Sequence, residues 1–238
     1  MKTNSSPNSS RLNRYALGVA TVLLVVSSPG RADETDAAGR QFLRRVESVV
    51  LSLKETGYKH STRIDAVAGV FYCDCSGFLG YFLQKEFPEA FAALRGEEAP
   101  WRSRPLAVTF YETFFRAGGE KVPGWSQVKT LALAKPGDFV AWRKARLEQG
   151  TTTGHVLIMA SDPVREEDGR YRVRVIDSTR RLHADDTRAA GSNGVGSGTM
   201  WFAVDESGKP TQYYVDSSPK PGDSTQILIG RLSGGTAP

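Results

Sequence analysis

The sequence predicts an α+β chain in which helices come first and an antiparallel β-sheet follows. Two observations carry that expectation. Up to about residue 116 the apolar residues recur at three- and four-residue spacing, the period of a helix with one buried face. Beyond Pro136-Gly137-Asp138 the apolar runs become short, β-branched and aromatic, and turn-forming residues separate them. Helices and strands that are segregated rather than alternated argue against a parallel βαβ layout.

From Ala37 to Thr56, the residues Phe42, Leu43, Val46, Val49, Val50 and Leu53 share one helical face, with Gly57 placed as a C-cap. Residues 58–74 hold no helical signal and read as a loop leading into the apolar segment 66–72. A second helix runs from Cys75 to about Lys85 on Phe78, Leu79, Phe82 and Leu83, and two more cover Glu89–Leu94 and Pro105–Arg116. Of the aromatic set Trp101, Phe110, Tyr111, Phe114 and Phe115, the last four form two pairs spaced by four. That spacing is first a core-facing stripe and only second a substrate groove. Strands are expected at Phe139–Arg143, His155–Ser161, Tyr171–Asp177, Thr199–Val204, Gln212–Val215 and Gln226–Arg231. Asp205–Pro210 reads as a hairpin turn, and the Gly/Ser-rich stretch Gly191–Gly198 as a flexible loop.

The 238 residues are 39% hydrophobic and 24% charged, an ordinary globular composition. Four of the 31 Lys and Arg residues, and none of the 26 Asp and Glu, lie in the first 32 positions. The remainder is one positive charge from neutral, so the net charge of +5 is no footprint for nucleic acid. The basic start of those 32 residues, the apolar run Tyr15–Val26 and the small residues Gly30 and Ala32 read as a secretory signal, 1–32. At 12 residues that run is shorter than the roughly 20 that span a bilayer. The mature chain is expected outside the cytoplasm, periplasmic or secreted, as a monomer with no membrane attachment once the signal is cleaved. A helix over 33–57 precedes a domain over 58–238.

The sharpest local feature is Asp74-Cys75-Ser76-Gly77-Phe78, which opens the second helix. A thiol at a helix N-terminus meets unpaired N–H groups and the positive end of the dipole, both of which favour the thiolate. A base is then needed, and the chain has only His60, His155 and His183. His155 heads the strand His155–Met159, and Asp177 ends the next strand, so pairing of the two strands would bring the carboxylate to the imidazole. His183 is the weaker candidate; it and His60 read as surface residues. Cys73 reads as buried filler, because a bridge to Cys75 across one residue is awkward for disulfide geometry. Cys73, Cys75, His155 and His183 are four possible zinc ligands in number, but Cys-x-Cys is not the usual ligand spacing.

Four blocks in order resemble the NlpC/P60 cysteine peptidases: Asp74-Cys75-Ser76-Gly77-Phe78, Lys135-Pro136-Gly137-Asp138-Phe139-Val140-Ala141-Trp142, Gly154-His155-Val156-Leu157-Ile158 and Val175-Ile176-Asp177-Ser178. The likeness covers roughly residues 57–180. It implies a papain-like α+β fold, with N-terminal helices packed on an antiparallel sheet, and hydrolysis of an amide in peptidoglycan stem peptides. Cys75 would be nucleophile, His155 general base and then acid, and Asp177 the orienting group, with no cofactor. Tyr58, Asp74 and Ser76 would contact the substrate, a muropeptide. Three departures stand out: Asp177 where many members carry His, an apparent helical insertion over about 87–129, and strands beyond residue 198. Two rivals remain, a wall-binding module without turnover and an acyltransferase or thioesterase acting on lipid or small amides.

Overall fold

The structure is a computed structural model that describes residues 1–2, 31–144, 153–218, 220–222 and 226–234, the side chains of 31–36 excepted. The apolar run of the expected export signal lies outside the described residues, while Arg31 and Ala32 already belong to the first helix.

Four helices, α1 (Arg31–Ser52), α2 (Cys75–Glu86), α3 (Pro88–Glu97) and α4 (Ala107–Arg116), precede most of the sheet. Three short strands, β1 (Glu55–Gly57), β2 (Arg63–Asp65) and β3 (Val70–Tyr72), lie between α1 and α2 and form a small sheet of their own. The main sheet comprises β4 (Trp125–Val128), β5 (Phe139–Arg143), β6 (Gly154–Met159), β7 (Val164–Arg165), β8 (Tyr171–Thr179), β9 (Gly194–Val204), β10 (Pro210–Tyr214) and β11 (Gln226–Leu232). Its order is β10-β9-β8-β6-β5-β11-β4, with β7 paired to β8, and every pairing is antiparallel. The chain is thus α+β with an antiparallel sheet, as its periodicities predict.

Strand alternation gives the sheet two apolar faces. Phe139 and Ala141 of β5, with Val156 and Ile158 of β6, join Phe42, Phe78, Phe82, Phe110 and Phe114 of the helices in one core. Val140, Trp142, Leu157 and Met159 point the other way and meet Val173, Val175, Met200 and Phe202 in a second core. The sheet curls until β10 comes against β11, so this second core is enclosed by the sheet itself.

Several expectations are corrected. The first helix stops at Ser52, and Gly57 ends strand β1 instead of capping a helix. A Cβ at Gly57 would stand 2.9 Å from the Tyr72 ring, which explains the glycine by close packing. Residues 58–74 contain two strands. The aromatic stripe is core at Phe110, Tyr111 and Phe114, but Phe115 and Trp101 are exposed. Gly191–Gly198 is not a loose loop throughout, because from Gly194 onward it is β9, a buried strand.

The glycines of β9 have a steric reason. A Cβ at Gly196 would lie 2.7 Å from the Arg188 side chain, and one at Gly198 would lie 2.5 Å from His183 Cβ. The segment 183–188 therefore lies flat on β9 only because those positions are empty. Gly198→Ala is expected to destabilise the protein by about 1–3 kcal/mol, the usual cost of overpacking. Denaturant midpoints would measure the loss, and an unchanged midpoint would mean that this segment shifts freely.

Candidate active site

Strands β6 and β8 pair only at Ile158↔Ile176 and Met159↔Val175, although both continue beyond that point. Where they part, the start of α2 enters: α2 packs on both strands, and Ser178 Oγ donates to the Cys73 carbonyl at 2.7 Å. The parted ends place three sequence-distant groups together, namely the head of a helix, the first residues of β6 and the last residues of β8.

Asp74 is the N-cap of α2, its Oδ1 accepting from the Gly77 N–H at 2.8 Å. Cys75 follows as the first helical residue, so its backbone N–H has no intrahelical acceptor. Its side chain is buried, 3% exposed, and within hydrogen-bond reach of the His155 ring. His155 Nε2 donates to Asp177 Oδ2 at 2.7 Å, which leaves Nδ1 to face the thiol. Burial works against a charged His155 ring. The Cys75 charge, the Asp177 hydrogen bond and the Cys75 hydrogen bond outweigh it and raise the pKa to about 10.

Asp177 is fully buried, yet its pKa is lowered: burial pushes it up, and the charge of His183 with the hydrogen bonds of His155 and His183 pull it down further. His183, ranked in the sequence as the weaker candidate, is the residue whose place at the site the sequence did not show. Expected at the surface, it is 7% exposed, and its Nε2 donates to the same Asp177 Oδ2 at 3.0 Å. Two imidazoles thus share one carboxylate oxygen, while Arg188 Nη1 stands 3.6 Å from the other. The Asp186 side chain holds this arrangement, accepting the His183 N–H at 2.8 Å and gripping the Arg188 guanidinium.

Asp74 and Ser76, expected to contact substrate, turn inward instead. Arg104, from the loop between α3 and α4, spans both: Nη2 reaches Asp74 Oδ2 at 2.5 Å and Nη1 reaches Ser76 Oγ at 2.7 Å. The same guanidinium donates to the His60 carbonyl at 2.9 Å. Those two side chains are thereby committed to bracing the helix start. The exposed His60 ring lies beside Asp74, with Nδ1 at 3.5 Å from Oδ2.

Tyr58 does stand at the site. Its N–H donates to Asn193 Oδ1 at 2.7 Å, and Arg180 lies over its ring at 5.0 Å. Burial, then the charges of Cys75 and Asp74, raise its pKa, so the phenol keeps its proton as a donor. A cleft of about 230 Å³ opens over this corner, walled by Tyr58, Trp142, His155, Thr179, His183 and Tyr213. Trp142 stacks on Tyr213 at 4.2 Å and leans on His155 at 5.0 Å, fixing the ring from the strand side. Cys75, buried beside His155, does not itself line the cleft.

Cys73 is completely buried, as expected of filler, and burial with the Asp74 charge pushes its thiol up to about 12. Among the described residues no group of three or more His, Cys, Asp or Glu is arranged to hold a metal ion. No family profile, curated protein or solved structure matches the chain.

Proposed function

We propose that the chain is an exported cysteine hydrolase of the papain-like NlpC/P60 type, cleaving an amide bond in peptidoglycan stem peptides. The observation that carries the reading is one hydrogen-bonded line: a thiol at a helix N-terminus, an imidazole beside it and a buried carboxylate behind the imidazole. The ordered sequence blocks supply the substrate class.

In this reading Cys75 Sγ, as thiolate, attacks the carbonyl carbon. The oxyanion that forms takes the Cys75 N–H, with the Tyr58 hydroxyl as a further donor at the same corner. As the C–N bond breaks, His155 Nδ1 hands its proton to the leaving amine, and an acyl-thioester remains. Water then gives a proton to His155 and adds to the thioester carbon, and the carboxylate product leaves as the thiolate returns. Asp177 holds the ring in the tautomer this sequence needs.

One observation favours a rival. The near-complete burial of Cys75 suits a wall-binding module whose thiol does no chemistry. The lipid-directed rival has less support, because the apolar residues of the insertion that suggested it, Leu94, Phe110 and Phe114, belong to the core.

Alkylation by iodoacetamide between pH 5 and 9, read per cysteine by mass spectrometry, tests the reading. Cys75 is expected to react at neutral pH faster than a free thiol of pKa about 8.5, and Cys73 is expected to stay unmodified. Loss of the enhanced rate in His155→Ala would tie it to the imidazole. A Cys75 that reacts like a free thiol, or not at all, would bring the binding module forward.

A further inference from the structure

The hydrogen bonds on Asp177 are unevenly shared. Oδ2 accepts from His155 at 2.7 Å and from His183 at 3.0 Å. Oδ1, also buried, accepts no hydrogen bond among the described residues, although Arg188 Nη1 stands 3.6 Å away. A carboxylate has two equivalent oxygens, and one left bare beside a guanidinium is drawn towards it. Turning about the Cβ–Cγ bond to close that gap would carry Oδ2 out of line with His155, because the two oxygens move as one rigid plane. Two imidazole donors on Oδ2 oppose the turn.

The His183 ring is placed for this one bond. It is 3% exposed, and its Nδ1 is buried with no hydrogen-bond partner among the described residues. A ring kept for packing alone would be better served by phenylalanine, which leaves no nitrogen unpaired. The nitrogen that is paired, Nε2, points at Asp177. The backbone fixes the ring from behind: the His183 N–H donates to Asp186 Oδ2 at 2.8 Å, and Gly198 leaves room for the His183 Cβ. Arg188 is held in turn by Asp186 and by the Gly194 carbonyl at 2.7 Å, so it pulls on Asp177 from a fixed place.

We infer that His183 is a positioning residue: it locks the Asp177 carboxylate in the rotation that presents Oδ2 to His155, against the pull of Arg188. The inference rests on the cysteine-hydrolase reading and adds a fourth member behind its line of three. His183 acts through Asp177, and a small turn there is amplified, since about 1 Å of misplacement can cost about a hundredfold in rate.

Two substitutions separate the donor from the ring. His183→Phe keeps a ring and drops the donor, whereas His183→Gln drops the ring and keeps a donor near the place of Nε2. Iodoacetamide alkylation of Cys75 at about pH 6, where few free thiols of pKa about 8.5 are ionised, reads the thiolate–imidazolium pair. The rate is expected to fall about tenfold in His183→Phe, part of the way to His155→Ala, and to stay within about twofold of the parent in His183→Gln. The charged groups around His183 are the same in all these proteins: Asp177 on β8, His155 on β6, Asp186 and Arg188 on its own segment, and Arg180 and Arg181 in the cleft. A role in packing alone predicts the opposite order, because phenylalanine fills that volume better than glutamine. If His183→Phe does not fold, His183→Asn takes its place, its amide one methylene shorter than that of glutamine. A parent rate in the folded variant that lacks the donor, or an equal loss in His183→Gln, overturns the inference and leaves the cysteine mechanism standing. A parent protein whose Cys75 reacts no faster than a free thiol overturns the mechanism, and this inference with it.

Discussion

Asp177→Asn is expected to lower kcat by about a thousandfold or more, the scale of losing a triad carboxylate. The shared oxygen is the reason. Asp177 Oδ2 accepts from His155 and His183 together, with Arg188 behind it. An asparagine offers one acceptor and one donor group in the same volume and carries no charge. With its oxygen in the place of Oδ2 it would put its amide N–H groups against Arg188 and lack the charge that holds two rings there, and with its amide nitrogen facing His155 it would impose the wrong tautomer. The pH profile separates this from a general loss of structure. Asp177 raises the His155 pKa through its hydrogen bond and its charge. Removing it lets the imidazolium lose its proton at lower pH, so the alkaline limb of kcat/KM moves down from its parent position near 10. Muropeptide hydrolysis and Cys75 alkylation should both report the shift. An alkaline limb that stays in place would remove Asp177 from the mechanism.

Arg104→Ala is expected to destabilise the fold by about 3 kcal/mol, near the lower end for breaking a buried ion pair. Its guanidinium is 21% exposed and the Asp74 carboxylate 8%, so the charge left behind would be poorly solvated. For a domain of this size that corresponds to a fall in Tm of roughly 10 °C. The loss should be partly rescued by Asp74→Asn, because Asn still caps the helix and no longer carries the unpaired charge. Thermal unfolding of the two single variants and the double variant forms the cycle. Strict additivity would mean that Arg104 and Asp74 act separately, and that Arg104 is a packing residue only.

How far the site was legible depends on where each residue stands in its element. Cys75, His155 and Asp177 lie at the boundary of a helix or strand, where a polar residue interrupts an apolar pattern, and such interruptions show in one dimension. The hairpin at Asp205–Pro210 and the strand Phe139–Arg143 were readable for the same reason. His183 sits in no periodic frame. Its position follows from Asp186, Arg188 and the empty faces of β9, all matters of tertiary packing. A signal was nevertheless present: Gly194, Gly196 and Gly198 alternate at the two-residue period of a strand. Glycines on one face of a strand mark the close approach of another segment, yet the same composition reads as flexibility when the strand is not suspected. Asp74 and Ser76 went astray differently, because nothing local shows that Arg104, some thirty residues on, neutralises them.

The parting of β6 and β8 has a consequence in time. The contacts that hold the wedge open span long stretches of chain: 105 residues between Ser178 and Cys73, 135 between Tyr58 and Asn193. Closing such loops is entropically slow and is rewarded only after the sheet between them exists. Helix α2 forms from neighbours in sequence, but its first residue meets an imidazole that lies on strand β6, beyond the two helices that follow α2. On the proposed reading the thiol is thus dormant in every partly folded form of the chain. The reactive state belongs to the assembled sheet and not to the helix alone, and a chain in which β6 has not met α2 carries two ordinary cysteines.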